Sequence, residues 1–474
     1  MTTKKDISIF WFRQDLRLSD NPGLTKSLES ENVLPVYILD DINSGENKMG
    51  GASRWWLHRS LENLNKQLDN KISFYSGDPL EIFKNLIAKF NLKGIYWNRC
   101  YEPWRIKRDT NIKKYLIDHG IEAYSYNSNL LWEPNQILKV DQTPYKVFTP
   151  YYKKGCLNHD SPRIPIAKPN LEKIIEDEEN KNDLENLNLL DKKKWYSEFE
   201  NLWQPGENHA HNKFSIFLEN GLNGYKYGRN FPSKENVSQL SPHLHFGEIS
   251  PNQIWYKLEE KSDDYSEKDL YHFKSELGWR EFSYYLNFHF PELNKNNLQS
   301  KFDNFPWGND PEFLNSWKKG LTGYPIVDAG MRELWKTGYM HNRVRMIVGS
   351  FLVKNLLIHW KKGERWFWDC LIDADLASNS ASWQWVAGTG ADAAPYFRIF
   401  NPVLQGSKFD PEGKYTKKYI PELTQLPIKY LFDPWNAPDD ELIKADVILG
   451  SNYPRPIIDL KDSRHKALES FSGL

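Results

Sequence analysis

A chain of 474 residues, at about 150 per domain, has room for roughly three units and a substantial core. Its 39% hydrophobic and 26% charged content, with a mean hydropathy of -0.70, excludes a disordered chain and a membrane bundle. The 62 basic and 63 acidic residues leave a net charge of -1, which announces no nucleic-acid partner, yet residues 320–418 hold 13 basic against 9 acidic side chains.

The opening MTTKKDISIF passes from a short polar start into an apolar run without the hydrophobic segment of a secretory signal. Cys100, Cys156 and Cys370 are too scattered for a disulfide framework or a zinc cluster. Both features point to a reducing, cytoplasmic setting. Short apolar strands at 6–11 (DISIFW), 33–39 (VLPVYIL), 72–75 (ISFY) and 94–97 (GIYW) alternate with amphipathic helices at 53–68 and 78–90. This alternation predicts a doubly wound, Rossmann-like parallel sheet that binds ligands at its carboxyl edge. No GxGxxG follows the first strand, which argues against a nicotinamide dinucleotide.

From about 132 to 203 the pattern decays, and 170–194 mixes both charges with few large apolar residues, as a solvated connector does. Beyond Pro205 the periods turn helical, with long helices expected at 270–287 and 339–360 and turns at 323–325 and 401–402. The expected division is an α/β domain over 1–131, an interdomain linker over 132–204 and an all-α domain over 205–474. Residues 340–360 are apolar on nearly every face, which places them in a large core. His341, Asn342, Arg343 and Arg345 nonetheless stand at the start of this run, and charges are buried only when paired, so a site is expected there.

Three polar clusters interrupt the helical half. Ser238 and Ser241 in VSQLSPHLHFG precede a helix, where hydroxyls and free backbone N–H groups can hold phosphate; plain capping is the alternative. Glu276, Trp279 and Arg280 in SELGWREF occupy neighbouring positions of one helix, with a surface Glu–Arg pair as the simpler reading. Asp373, Asp375 and Asn379 precede Trp383 and Trp385 in LIDADLASNSASWQW, and the two carboxylates need partners that Arg343 and Arg345 can supply. No further ligand is spaced to build a metal site on His243, His245 or the aspartates, and the GTGADA at 388–393 follows no strand. Ten of the 19 Trp fall between positions 255 and 385, each first a core residue and second a stacking surface.

In order, the segments FWFRQDLRLSDN, GRNFP, SQLSPHLHFGEISP, SELGWREF, TGYPIVDAGMREL, GYMHNRVRM, LIDADLASNSASWQW and GTGADAAPYFRIFNPVLQGSKFD resemble the DNA photolyase/cryptochrome flavoprotein family. The likeness covers nearly the whole chain, is dense from 225 to about 423, and is strongest to the class I type of bacterial cyclobutane pyrimidine dimer photolyase. It implies an N-terminal α/β antenna domain and a helical FAD-binding domain. Tyr225, Ser238, Leu240 and Ser241 would hold the FAD phosphates and ribityl chain, with Phe273 where Trp is common and Val237 where Thr is common. Gln239, Arg280 and Ala374 complete that set. Arg345 and Asp373 would pair against the isoalloxazine, Asp375 would approach its pyrimidine edge, and Asn379 would face N5. A neutral amide there neither repels nor protonates an anionic reduced flavin.

The resemblance further implies that Glu276, Asn342, Met346, Trp279 and Trp385 form the pocket for a flipped-out dimer, photolyases being among the known base-flipping enzymes. The two Trp would stack on the thymines, and Glu276 would hydrogen-bond the dimer. Arg229, Arg343, Arg398, Lys408 and Lys153 would contact phosphates, without sequence preference. Trp383, Trp360 and Trp307 match a chain of three Trp that carries an electron to photoexcited flavin, and Tyr339 stands where many relatives have Trp. The implied function is light-driven repair of cyclobutane pyrimidine dimers by electron transfer from reduced FAD, in a monomer that needs damaged DNA but no membrane and no protein partner. A cryptochrome-type photoreceptor and a (6-4) photolyase are the competing readings. Residues 50–61 and 95–109, with Trp55, Trp56, Glu102 and Trp104, lie where an antenna chromophore would bind. Methenyltetrahydrofolate, 8-hydroxy-5-deazaflavin and an empty site all stay open, and packing explains those Trp equally well.

Overall fold

The computed structural model describes residues 5–178 and 183–474, so positions 179–182 of the expected connector lie outside the described residues. Among the described residues five parallel strands form, four of them from apolar runs bounded by turn residues: β1 (Asp6–Phe12), β2 (Val33–Leu39), β3 (Ser73–Ser76), β4 (Asn91–Asn98) and β5 (Glu122–Tyr126). Their order is β3-β2-β1-β4-β5, with Phe10 of β1 opposite Pro35 of β2 and Tyr96 of β4. Successive side chains of β1 point to opposite faces: Ile7, Ile9 and Trp11 enter one apolar cluster, Phe10 and Phe12 the other. Helices α1 (Gly51–Gln67), α2 (Pro79–Lys89) and α3 (Pro103–Asp118) connect the strands; Asp78 caps α2 by accepting from Leu80 N. The strand missing from the sequence reading, β5, is a short, half-exposed edge whose EAYSY lacks a continuous apolar run.

In the helical half, α4 (Glu267–His289) starts at Ser266, whose hydroxyl accepts from Asp269 N. Pro325 opens α5 (Pro325–Thr337) after the expected turn. The single helix expected at 339–360 does not form. Instead α6 (Asn342–Ser350) is capped by His341 Nδ1, widens into a π-type turn at Phe351–Asn355, and ends before Leu357, which adopts a left-handed φ of +54°. His359 Nδ1 then caps α7 (Trp360–Cys370) by accepting from Lys361 N. The run is apolar all round because two successive segments each bury their own face in one core, which holds Val344, Ile347, Leu352 and Trp360. Asp375 caps the next helix, α8 (Leu376–Ala387).

Buried polar contacts join the two halves. Arg17 donates to Gly247 O at 2.8 Å, Glu207 accepts from Leu18 N at 2.7 Å and Ser19 N at 2.9 Å, and Glu248 accepts from Trp56 Nε1 at 3.1 Å. Trp132, Phe148, Tyr151 and Tyr152 pack into the core around Phe273 and Phe282 of α4. Among the described residues no helix is long and apolar enough to cross a membrane.

Candidate functional site

A cavity of about 740 Å³ opens among α4, α6, α8 and the 225–241 segment, within the usual range of ligand clefts. All the expected cofactor residues line it, from Tyr225 and the 237–241 segment through Phe273, Arg280, Arg345, Asp373, Ala374, Asp375 and Asn379. Arg229, Glu276, Trp279, Asn342, Arg343, Met346, Trp385 and Trp383 line the same space. Trp307, Trp360, Lys153, Arg398 and Lys408 do not. Lys226 and His272 also line it from outside the motifs, and Asn230 and Ser382 from within GRNFP and LIDADLASNSASWQW, without having been given a role.

The walls are set by specific contacts. Asp269 accepts from Gly224 N at 3.0 Å and Lys226 N at 2.8 Å, presenting Tyr225, whose ring meets Phe273 edge-on at 5.3 Å. The helix after the 237–241 loop is a single turn, Ser241–His245, and the Ser241 hydroxyl donates to Asp373 Oδ2 at 2.6 Å. Ser238 and Ser241 both line the cavity, the latter with its hydroxyl turned to Asp373. Arg345 Nη2 reaches both Asp373 oxygens at 2.9 and 3.1 Å while its Nε donates to Met340 O at 2.7 Å.

Asp375 does not take an arginine partner. Its carboxylate meets His245 Nδ1 at 3.4 Å, the Tyr284 hydroxyl and Ser378 N at 2.7 Å. Burial alone would raise this carboxyl; His245, Tyr284 and the Ser378 amide hold it well below the usual carboxylate range. Arg343 instead donates to Asn230 Oδ1 and lies 4.4 Å over the Phe409 ring, which also carries Lys408 at 5.3 Å. Glu276 pairs with Arg229 and not with Arg280, whose Nη1 donates to Asn129 O at 2.7 Å. The Trp279 ring is stacked on Phe148 at 3.7 Å and 10°, so a residue of the expected linker backs it. The only sequence signal for Phe148 was an aromatic run, YKVFTPYY, inside an otherwise decaying pattern.

Asn379 Nδ2 donates to the Glu364 carbonyl at 3.0 Å, which fixes the amide. Burial pushes the carboxyl of Glu364 up to about 7, with Glu333 at about 7 and Glu281 at about 8 for the same reason. A carboxyl whose folded value exceeds its ordinary 4.5 keeps a proton that the unfolded chain has lost. Each such group therefore makes stability fall as pH rises through that window, by up to ~1.4 kcal/mol per pH unit. Thermal melts should show a higher Tm at pH 6 than at pH 8, and Glu364→Gln should flatten that slope; an identical slope in the variant would contradict this assignment.

Trp383 and Trp360 are buried in one core, and the Trp360 Nε1 donates to Asn297 Oδ1 at 2.8 Å. The His359 ring lies 5.5 Å from Trp360 and 5.1 Å from Trp307, which is partly exposed. No group of three metal-binding side chains occurs among the described residues.

A second cleft, about 50 Å³, lies at the carboxyl edge of β1 and β2 and is lined by Trp11, Asp40, Glu102, Trp104, Arg105 and Arg108. Arg13 and Arg108 lie 4.8 and 4.7 Å from the Trp11 ring, and Glu102 pairs with Arg105 at 3.2 Å. The cleft is thus walled by the guanidinium groups of Arg13, Arg105 and Arg108 and by the Trp11 and Trp104 indoles. Trp55 and Trp56 are core residues at 1% and 0% exposure, packed on Phe199, Trp203 and His243, and line neither of these two clefts.

A parallel sheet is thus joined to a helical half whose cavity combines a part-buried Arg–Asp pair, a fixed amide and stacking indoles. Residues 8–170 match the family model described as DNA photolyase, and residues 273–473 the FAD binding domain of DNA photolyase. The chain is 44% identical to a deoxyribodipyrimidine photo-lyase of Agrobacterium fabrum, over 100% of this chain and 99% of that one. It is 35% identical to cryptochrome-1 of Arabidopsis thaliana, over 98% of this chain and 70% of that one. A crystal structure described as a class III photolyase from Agrobacterium tumefaciens superposes with a TM-score of 0.94 at 44% identity, covering 100% and 98% of the two chains. The chain belongs to the DNA photolyase/cryptochrome family. The expected class I type is not supported, since that class III structure matches over the full length. The cavity's size, its Arg345–Asp373 pair and the Ser238 hydroxyl fit FAD.

Proposed function

We propose that this protein repairs cyclobutane pyrimidine dimers in DNA in a light-dependent reaction, as a class III-type photolyase. The observation that carries the reading is that one cavity unites the residues suited to a reduced flavin, Arg345, Asp373 and Asn379, with those suited to an extruded dimer, Glu276, Trp279, Asn342, Met346 and Trp385. FAD, when bound, supplies the light-driven electron that splits the two dimer carbon–carbon bonds and takes it back afterwards.

Arg345, held by Asp373, would give a bound flavin a fixed positive charge, and Asn379 would offer it an amide in place of an acidic proton. Trp279, braced by Phe148, and Trp385 provide stacking walls for bases taken out of the helix. Glu276 accepts hydrogen bonds from the dimer once Arg229 turns from it to a flanking phosphate. Arg343, Arg398, Lys408 and Lys153 add phosphate contacts, which makes binding salt-dependent and indifferent to sequence. Trp383, Trp360 and Trp307 form the path that restores reduced flavin. The division at 131/132 and 204/205 belongs to the same proposal, with the middle segment bracing the lesion pocket.

The test is repair of a thymine-dimer oligonucleotide by chemically reduced protein in blue light and in darkness. Light-dependent recovery of thymine absorbance is expected. Glu276→Ala should repair about tenfold less while keeping its flavin, the effect of losing one hydrogen bond to a charged group. A normal flavin spectrum without repair would instead favour a cryptochrome-type photoreceptor or a (6-4) lesion.

A further inference from the structure

Lys354 is a buried lysine that the site described above does not use. It sits on the π-type turn after α6 with 1% exposure, does not line the cavity, and forms no ion pair among the described residues. Burial lowers its ammonium to about 8, with Arg398 its charged neighbour, so it is charged at neutral pH. A buried ammonium persists only where acceptors are provided. Here both acceptors are carbonyls of one turn: Lys354 Nζ donates to Arg398 O at 3.2 Å and to Pro395 O at 3.5 Å.

That turn is exposed and carries the expected DNA contact. Pro395 O also accepts from Arg398 N at 2.9 Å, so the bond that closes the turn and the lysine share one oxygen. Lys354 lies 5.5 Å over the ring of Tyr396, which is buried, while Phe397 is 61% exposed and Arg398 points its backbone into the same clamp. Ser350 Oγ accepts from Phe400 N at 3.4 Å, tying the far end of the turn to the end of α6. One segment thus runs from the cavity-lining Arg343, Arg345 and Met346 to the anchors Ser350 and Lys354.

We propose that Lys354 is a positioning residue for DNA binding: its ammonium ties down the carbonyls of the 395–399 turn, so that Arg398 and Phe397 meet DNA in a preformed arrangement. A binding loop ordered beforehand loses less entropy on association, and affinity rises accordingly. The proposal rests on the reading that Arg398 contacts damaged DNA, and the experiment separates the two.

Lys354→Met keeps the length of the side chain and removes its donors, Lys354→Arg keeps charge and donors, and Lys354→Gln keeps a single donor group should the methionine variant fold poorly. Amide hydrogen exchange across residues 391–400 is measured in flavin-loaded protein without DNA, and affinity for a thymine-dimer oligonucleotide is measured in the dark. Exchange in that segment should quicken by about tenfold in Lys354→Met. Dimer affinity should weaken by about tenfold, with repair per bound dimer unchanged, and Lys354→Arg should recover most of both. Unchanged exchange overturns the clamp. Faster exchange with unchanged affinity overturns its part in DNA binding. Failure of the wild-type protein to bind the dimer overturns the underlying reading, and the exchange result still decides the clamp.

Discussion

Asp373→Ala is expected to abolish flavin binding. Asp373 receives Arg345 through both oxygens and Ser241 through one, so the variant leaves a guanidinium in the cavity wall without its counter-charge. Breaking a fully buried pair from one side costs about 3–5 kcal/mol, and the Arg345 side chain, 26% exposed, puts this pair near the lower end. If that falls on the bound state, flavin affinity drops by about a hundredfold. The ratio of flavin to protein absorbance after purification reads the effect directly. Asp373→Asn keeps the shape and one acceptor without the charge, and should lie between the two. Stoichiometric flavin in Asp373→Ala would refute the role assigned to the pair.

Trp360→Phe should reduce photoreduction of oxidised, bound flavin to background while leaving dimer repair by chemically reduced protein intact. The phenyl ring is a far poorer electron donor than indole, yet it fills much of the same core volume around Val344, Leu352 and Trp383. The lost Asn297 hydrogen bond leaves one polar group to be re-satisfied, a modest effect on stability. Trp307→Phe, nearer the surface beyond His359, should act in the same direction. Equal losses in photoreduction and repair would remove these residues from the electron path and make them packing residues.

Much of the sheet was legible because a buried parallel strand needs a continuous apolar run, and four runs of that kind stand between turn residues. The boundaries of β2 match residue for residue. The edge strand β5 was not legible, since half its side chains face solvent. The break between α6 and α7 was hidden for the opposite reason: apolar residues from Val344 to Trp360 occupy every face and no Gly–Pro turn signal interrupts them, so hydropathy alone does not say where the chain turns. His359, which caps α7, is one of several polar residues scattered through that run.

At the site, many cavity residues were legible because they belong to short motifs in which neighbours along the chain are neighbours in space, whereas Lys226 and His272 lie outside those motifs. Their partners were not. Asp375 pairs with His245 and Tyr284, 130 and 91 positions away, where the local reading had offered arginines. Glu276 pairs with Arg229 across 47 positions, although Arg280 lies one helical turn along. Trp279 leans on Phe148, which belongs to the 132–204 stretch expected to be an interdomain linker.

The sequence by itself determined the family, the parallel sheet, the helical half and the residues that face the cavity, because periodicity and motif order are properties of adjacent residues. Only the tertiary structure decided which buried charge neutralises which, what braces the stacking indoles, and that Lys354 lies beneath the 395–399 turn. A buried polar group takes the partner that packing brings nearest, and that distance is set by the whole core, not by position along the chain.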